Sequence, residues 1–289
     1  MRVTQSMLSS NMLRNLSNSY SKMGKLQSQI DSGKKITRPS DDPVVAMKGI
    51  DYRTALGRVE QFQRNIGEVN NWLDSSDDAF DKVGSVLQRV QELVTKGAND
   101  GTLTDEDKEK IQSELDQIQQ HIQNMANSRV GDKYLFSGTQ TTTPLYDATT
   151  GYPASGGTPF EKDVEIEVFD GITLKVNTNA IDVFRNIDQM FKDIKSGAID
   201  FGEAIEQVQG QLDDVLTIRA DIGARQNRVE LMDNRLQTQE VIATKQMSQN
   251  EDVEYDKAIT EMVTQESIHR AALSVGARIL QPTLTDFLR

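Results

Sequence analysis

A regular spacing of apolar residues runs through the first half of the chain. Between residues 59 and 94 the positions step by three and four without a break, and ten of the eleven are apolar. The series is Val59, Phe62, Ile66, Val69, Leu73, Ser76, Phe80, Val83, Leu87, Val90 and Val94. A 3.5-residue repeat packs one helix along its length against a partner helix. The pattern therefore predicts a long helix, which Asn99, Asp100 and Gly101 end.

A second helix is predicted to begin after Thr104, which stands three residues before Asp107 in an approximate capping box. Its apolar series is Ile111, Leu115, Ile118, Ile122 and Met125. Residues 44–130 are therefore expected to form a helical hairpin.

Helical periodicity returns near Ile181 and becomes long after Phe201, with Arg225 and Gln239 as polar interruptions. A continuous helix over residues 201–247 would be about 70 Å long at 1.5 Å per residue. The strongest β signal lies before this region, where two alternating apolar runs flank the turn residues Asp170 and Gly171. These runs are Val164, Ile166 and Val168, then Ile172, Leu174 and Val176.

These patterns predict a mainly α protein, with a long antiparallel helical coiled-coil or bundle rod and a small β-containing insertion. The expected parts are a terminal coiled-coil domain, a helical rod domain and an insertion domain. Their ranges are 1–42 with 251–289, 43–137 with 182–250, and 138–181.

The two ends of the chain differ from its middle in charge. Residues 1–40 carry a net charge of +6, and the remainder carries -18. Each end has one narrow helical stripe of apolar residues. The stripes are Leu13, Leu16, Tyr20, Met23, Leu26 and Ile30, and Ile259, Met262, Ile268, Ala272, Val275 and Ile279. We expect the ends to pair as an antiparallel coiled coil that is weakly ordered until a further surface covers it; an ordinary intramolecular core is the alternative.

Composition argues against most chemistry. The chain has no Cys, and its imidazoles are His121 and His269, so metal clusters and thiol nucleophiles are poorly supplied. A net charge of -12 disfavours nucleic-acid binding, and no apolar run reaches the roughly 20 residues of a membrane span. An enzyme would depend on the acids between residues 161 and 167, which alternate onto the solvated face of a strand. No cofactor and no metal are expected.

Three segments resemble bacterial flagellins. Ser32-Gly33-Lys34-Lys35-Ile36 followed by Asp41-Asp42 is similar to the family's N-terminal signature, and Arg89 and Glu92 stand in an L-x-R-x-x-E-L segment. On the returning side, Gly223, Gln226, Asn227 and Arg228 stand in a segment that resembles G-A-x-Q-N-R. The resemblance covers residues 1–140 and 200–289.

Within the superfamily, the details are closer to the hook-associated proteins of the hook–filament junction than to filament flagellins. Arg38-Pro39-Ser40 and the Tyr134, Phe136 and Gly138 positions of a Y-x-F-x-G pattern carry this distinction. A flagellin-type filament subunit is the alternative.

The resemblance implies an extracellular structural protein of the bacterial flagellum, exported unfolded without a cleaved signal peptide. Its implied partners are the neighbouring hook-associated junction protein, flagellin, further copies in a ring, and an export chaperone that binds the C-terminal segment. Neither nucleic acid nor a membrane is among them. The expected assembly contacts are Leu16, Tyr20, Met23, Leu26, Ile30, Ile268, Val275, Ile279, Phe287 and Leu288.

Overall fold

The computed structural model describes residues 5–98, 104–153 and 158–279. Six helices are present in these ranges: α1 (Gln5–Ser32), α2 (Pro43–Ala98), α3 (Asp105–Ala126), α4 (Ile181–Ser196), α5 (Phe201–Glu251) and α6 (Tyr255–Ile279). Two antiparallel hairpins pair β1 (Arg129–Val130) with β2 (Lys133–Tyr134) and β3 (Glu165–Phe169) with β4 (Ile172–Lys175). The mainly α prediction with a small β region is confirmed.

Helix α2 buries the 3.5-residue series that the sequence predicts. Ten of its eleven members are buried, and Phe62 is half-buried. The one polar member, Ser76, donates to the Trp72 carbonyl over 2.8 Å, so its hydroxyl is satisfied inside the helix. The ring of Phe80 packs edge-on to Phe136 at 5.2 Å and stacks on Phe184 at 5.9 Å. This aromatic cluster joins α2 to α4 and to the segment after β2.

Helix α3 begins as predicted. Thr104 accepts from the Asp107 amide while the Asp107 side chain accepts from the Thr104 amide, which completes the capping box. The predicted helix end at residues 99–101 lies outside the described residues, and the described part of α2 ends at Ala98.

Helix α5 is continuous and reaches Glu251, four residues beyond the predicted end. After Ala204, its fully buried residues recur every seven positions at Val208, Val215, Ile222, Val229 and Leu236.

Arg225, predicted as an interruption of this series, stands in register with it. Its guanidinium donates to the Asn177 carbonyl over 3.0 Å and pairs with Asp221. A polar contact in the series thus attaches α5 to the segment after β4.

The β3–β4 hairpin turns at Asp170-Gly171 as predicted, with Gly171 at φ 72°. Its buried side chains are Val168 and Leu174, while Glu165 and Glu167 are exposed. The β1–β2 hairpin was not predicted, because two-residue strands carry no alternation that a sequence pattern could reveal.

The internal contacts divide the chain into two compact units. The terminal unit is Met1–Arg58 with Gln239–Arg289, and the central unit is Val59–Thr238. The predicted boundaries at residues 42 and 251 and the separate insertion domain stay a prediction.

Candidate assembly surface

The helices at the two ends of the chain pack antiparallel. Lys34 forms an antiparallel bridge with Asp252, and the Gln265 amide donates to the Ser19 hydroxyl over 2.8 Å. The Tyr20 and His269 rings lie 6.2 Å apart beside this bond, and farther along the Met12 side chain lies against Gly276. Residues near the start of α1 thus contact residues near the end of α6, and the reverse. This is the antiparallel arrangement expected from the sequence.

Each helix turns one series of residues toward the other, spaced by four and three positions. We call these two series the seam. On α1 the seam is Met12, Leu16, Ser19, Met23, Leu26 and Ile30; on α6 it is Ala258, Met262, Gln265, His269, Ala272 and Gly276. Every one of these residues is buried or half-buried.

Apart from Met262, the side chains of the α6 half of the seam are small or polar. At Gly276 a Cβ atom would come within 1.9 Å of the Met12 methyl carbon, so this glycine permits the close approach. Nδ1 of His269 is buried without a hydrogen-bond partner among the described residues. Since small and polar side chains bury little apolar area, the seam alone provides weak stabilisation.

The predicted assembly residues fall into three groups. Leu16, Met23, Leu26 and Ile30 are half-buried in the seam. Three others are exposed: Tyr20 by 68%, Ile268 by 52% and Val275 by 53%. The side chain of Ile279, together with Phe287 and Leu288, lies outside the described residues.

Exposed apolar side chains are concentrated in the terminal unit. Among the described residues, it holds fifteen of the 17 large exposed apolar side chains, whereas 37 of the 38 buried apolar side chains belong to the central unit. Ala258 is the one exception. An excess of exposed apolar side chains in one unit indicates a region of association. The described part of the terminal unit therefore has an apolar exterior and almost no interior of its own.

The family-like Ser32–Ile36 segment closes one end of the helix pair. Gly33 adopts φ 69° directly after α1, the left-handed conformation that ends many helices. Its carbonyl accepts from the Val253 amide over 3.0 Å, and the Lys35 amide donates to the Glu251 carbonyl over 2.6 Å. Ile36 follows, half-buried. The segment therefore joins the end of α1 to the turn between α5 and α6 through its backbone.

Glu251 is the buried acid of this junction, with 4% exposure. Its carboxylate accepts from Arg53 over 2.6 Å and lies 3.6 Å from the Lys34 ammonium. A Cβ at Gly49 would come within 2.5 Å of the same carboxylate, so a larger residue at this position of α2 would displace the carboxylate. One side chain thus connects α2, α5 and the segment after α1 within the terminal unit.

The ion pair beside Glu251 perturbs both of its members. The hydrogen bond to Asp252 raises the pKa of Lys34 above its ordinary value. In return, hydrogen bonds from Lys34 and Ser248 lower the pKa of Asp252. Both groups are therefore charged at neutral pH.

The two aspartates of the family motif organise the start of α2. Asp42 caps the helix, accepting from the Val44 and Val45 amides over 3.0 and 3.1 Å, and Pro43 occupies the first helical position. Asp41 accepts from the Arg38 amide over 3.1 Å. Both aspartates therefore have structural roles.

Two motif residues of the central unit also make contacts between helices. Arg89 bridges Glu92 at 2.9 Å on its own helix and Glu114 at 2.9 Å on α3, so this pair connects two helices. On α5, Gln226 donates to Asp74 over 2.9 Å.

The other three motif residues of α5 have no contact of this kind with another described helix. Asn227 and Arg228 are exposed, and Gly223 has open space where a Cβ would stand. Their place in the motif is not explained by packing inside the described chain.

The described residues offer little for catalysis. They contain no group of three or more His, Cys, Asp or Glu side chains that could hold a metal ion. His121 is exposed. The buried Asp188 already accepts from Gln119 and Gln123 and pairs with Lys192, so its oxygens are occupied. None of the helices in the described ranges is long and apolar enough to cross a membrane.

Sequence reasoning missed the Glu251 junction and the true register of α6. An acid at the end of a helix resembles an ordinary solvated residue, and its partners Lys34 and Arg53 are about 200 positions away in the sequence. The seam positions Gln265 and His269 gave no apolar signal.

Comparison with known proteins shows which family the chain resembles. The bacterial flagellin N-terminal helical region matches residues 3–141, and the bacterial flagellin C-terminal helical region matches residues 186–288. The chain is 23% identical to flagellar hook-associated protein 3 of Escherichia coli, with 94% of this chain and 95% of that protein aligned. It is 25% identical to the flagellin of Bacillus subtilis, with 97% of each aligned.

Among solved structures, a Vibrio parahaemolyticus protein assigned as a flagellar hook-associated protein has a TM-score of 0.64 at 24% identity, covering 73% of this chain and 100% of its own. At this identity the likeness concerns the fold.

Proposed function

Because the chain belongs to the bacterial flagellin family, we propose that it is a structural subunit of the flagellum that joins the hook to the flagellin filament. The observation that carries this proposal is the apolar exterior of the terminal unit. A chain that is built to be buried among neighbours has this distribution, and the alignment with hook-associated protein 3 of Escherichia coli along nearly its whole length suggests which neighbours.

In this role the protein would act as a mechanical connector between two different neighbours. Each subunit of a ring would contact the preceding hook-associated protein on one side and flagellin on the other. Burial of the exposed apolar side chains would stabilise the assembly by roughly 25 cal/mol per Å² of apolar area. The free subunit lacks that burial, so its terminal helices would be weakly ordered until neighbouring subunits cover them. No enzymatic step is required.

Export and localisation follow from the same proposal. A junction subunit acts outside the cell and travels through the flagellar type III apparatus without losing a signal peptide. The segment from about residue 255 onward is the proposed binding site for an export chaperone, because its described part, α6, carries apolar side chains on several faces.

A filament subunit is the second candidate. The alignment with the flagellin of Bacillus subtilis covers 97% of both chains, so length and overall match suit this role equally. The two roles differ in what remains when the protein is missing.

The test is a strain that lacks this chain. Flagellin in the culture medium is measured, and hooks are counted on the same cells. The junction role requires bare hooks and flagellin lost to the medium, both restored by the wild-type gene. Absence of flagellin itself would identify the chain as the filament subunit, and normal filaments would contradict both roles.

A further inference from the structure

The Glu251 junction holds the base of α1 beside the base of α6. The backbone bond between Gly33 and Val253 joins the two helix ends directly over 3.0 Å. Lys34 adds an ion pair with Asp252 at 2.6 Å. Both helices therefore leave the junction already adjacent and in antiparallel orientation.

Helix α2 supports the junction from a second direction. Arg53 binds the Glu251 carboxylate over 2.6 Å, and the side-chain amide of Asn250 donates to the Val45 carbonyl over 2.9 Å. The end of α5 is thus attached to the first turns of α2. Because α5 passes directly into the turn that begins α6, these contacts also fix the base of the helix pair.

The seam changes in composition along its length. We call the part next to the Glu251 junction the near half and the remainder the far half. The near half is apolar throughout, and it consists of Met23, Leu26, Ile30, Ala258 and Met262. The far half contains the three polar side chains of the seam and its glycine, and it consists of Met12, Leu16, Ser19, Gln265, His269, Ala272 and Gly276. Since apolar burial drives the pairing of helices in water, the near half is the stronger part.

The stronger half of the seam thus lies where the two helices are already held together. Side chains that are held next to each other meet at a high effective concentration. Pairing is otherwise opposed by the entropy that both helices lose when they become ordered. The near half has both advantages, and the far half has neither.

We propose that α1 and α6 pair in sequence, beginning at the Glu251 junction and proceeding toward the two ends of the chain. In the free protein the near half pairs first and sets the register, while the far half stays open until a neighbouring molecule covers it. That neighbour then meets two helices that are already aligned. Arg53 and Glu251 are positioning residues in this process, because they hold the bases of the helices and do not belong to the seam.

Disulfide formation within the full-length chain reports which part of the seam is paired, and the absence of native cysteine keeps the signal clean. Counted along both helices from the contact between Met12 and Gly276, two pairs of seam residues stand opposite each other: Ile30 with Ala258, and Leu16 with Ala272. Replacement of both members by cysteine gives the near pair (Ile30→Cys, Ala258→Cys) and the far pair (Leu16→Cys, Ala272→Cys).

A third variant provides the control for chain connectivity. Ser28→Cys with Ala258→Cys has nearly the same separation along the chain as the near pair, but Ser28 is exposed and lies off the seam. Each variant is diluted into a glutathione redox buffer. Mass spectrometry follows the intramolecular disulfide and excludes linked dimers.

The near pair should close at least about tenfold faster than the control, because paired helices bring only the seam positions within disulfide distance. The far pair should close more slowly than the near pair. Equal rates for the near pair and the control would overturn the proposal, since chain connectivity alone would then explain both.

Two charge reversals on α2 test the role of the junction. Arg53→Glu places a second carboxylate beside the buried Glu251 and should slow closure of the near pair at least about fivefold. Lys48→Glu makes the same change of charge at an exposed position and should alter the rate less than about twofold. Emission from Trp72, which is buried in the central unit, should be the same in both variants. Equal slowing by both substitutions would contradict the role of the junction.

One substitution in each half tests the direction of pairing. Leu26→Asn, in the near half, should slow closure of the far pair, because the far half pairs after the near half. Met12→Asn, in the far half, should leave the rate of the near pair unchanged within about twofold. If Met12→Asn slowed the near pair as much as Leu26→Asn slows the far pair, the seam would form as one unit and the sequential proposal would be wrong.

The order of pairing is a property of the free chain and stands apart from the junction role in the flagellum. Normal filaments in the deletion strain would refute that role and would leave the disulfide rates unchanged. Equal rates for the near pair and the control would refute sequential pairing, and the role would still be decided by bare hooks and lost flagellin.

Discussion

Removal of the Phe80 ring should destabilise the central unit strongly. Phe80 is fully buried, and its ring contacts those of Phe136 and Phe184. Replacement by alanine leaves a cavity and should cost about 3–5 kcal/mol, of which each aromatic pair supplies about 0.5–1.5 kcal/mol. In a unit that spans Val59–Thr238, each kcal/mol lowers the melting temperature by about 2–4 °C, so Phe80→Ala should lower it by about 6–20 °C.

Tryptophan fluorescence isolates this effect. Trp72 is the one tryptophan of the chain and is 4% exposed in the central unit, so its emission reports unfolding there. Urea titrations of the wild type and Phe80→Ala give the difference in unfolding free energy. Phe80→Leu, which keeps most of the apolar volume, should lose only about 1–2 kcal/mol. Ile259→Ala, in the terminal unit, should leave the Trp72 transition in place. A loss below about 1 kcal/mol for Phe80→Ala would refute the assignment of the core.

Three further changes test local features. Asp42→Ala removes the cap of α2 and should cost about 1 kcal/mol, seen as faster hydrogen exchange in the first turn, whereas Asp42→Asn should preserve it. Gly138→Ala places a Cβ 2.2 Å from the Phe160 carbonyl oxygen at φ 56° and should cost at least about 2 kcal/mol by Trp72 fluorescence; the open Gly210→Ala should instead stabilise by about 0.5–1 kcal/mol. The third change concerns Asp252, whose pKa is lowered in the folded protein. Its carboxylate therefore stabilises the fold fully above its ordinary pKa, and this stabilisation is lost as the pH falls through the pKa of the folded state. The unfolding free energies of the wild type and Asp252→Asn should therefore become equal in acid.

The parts of the fold that the sequence predicts are those in which one local pattern decides the structure. The series from Val59 to Val94 is apolar at the period of a packed helix, and the structure buries it. The β3–β4 hairpin is predicted for a similar reason, because Asp170 and Gly171 give a tight turn between two alternating runs.

The register of α6 was not predictable in this way. The apolar stripe in the sequence combines Met262 and Ala272, which belong to the seam, with Ile268 and Val275, which are exposed. Gln265 and Gly276 occupy seam positions that a search for apolar residues passes over. A helix with apolar side chains on several sides has no unique buried face until its neighbours are known.

The Glu251 junction illustrates a second limit. Burial of this acid depends on Arg53, on Lys34 and on the space left by Gly49. None of these residues is a sequence neighbour of Glu251, and the charge alone favours an exposed position. Tertiary contacts set its role, so only the folded chain reveals it.

The central claim is that the terminal unit depends on its partners for stability whereas the central unit has a core of its own. Urea unfolding of the full-length monomer, followed by far-UV circular dichroism and by Trp72 fluorescence, tests it most directly. Helicity should be lost in two steps, and the first step should precede any change in Trp72 emission. A single transition in which both signals change together would contradict it.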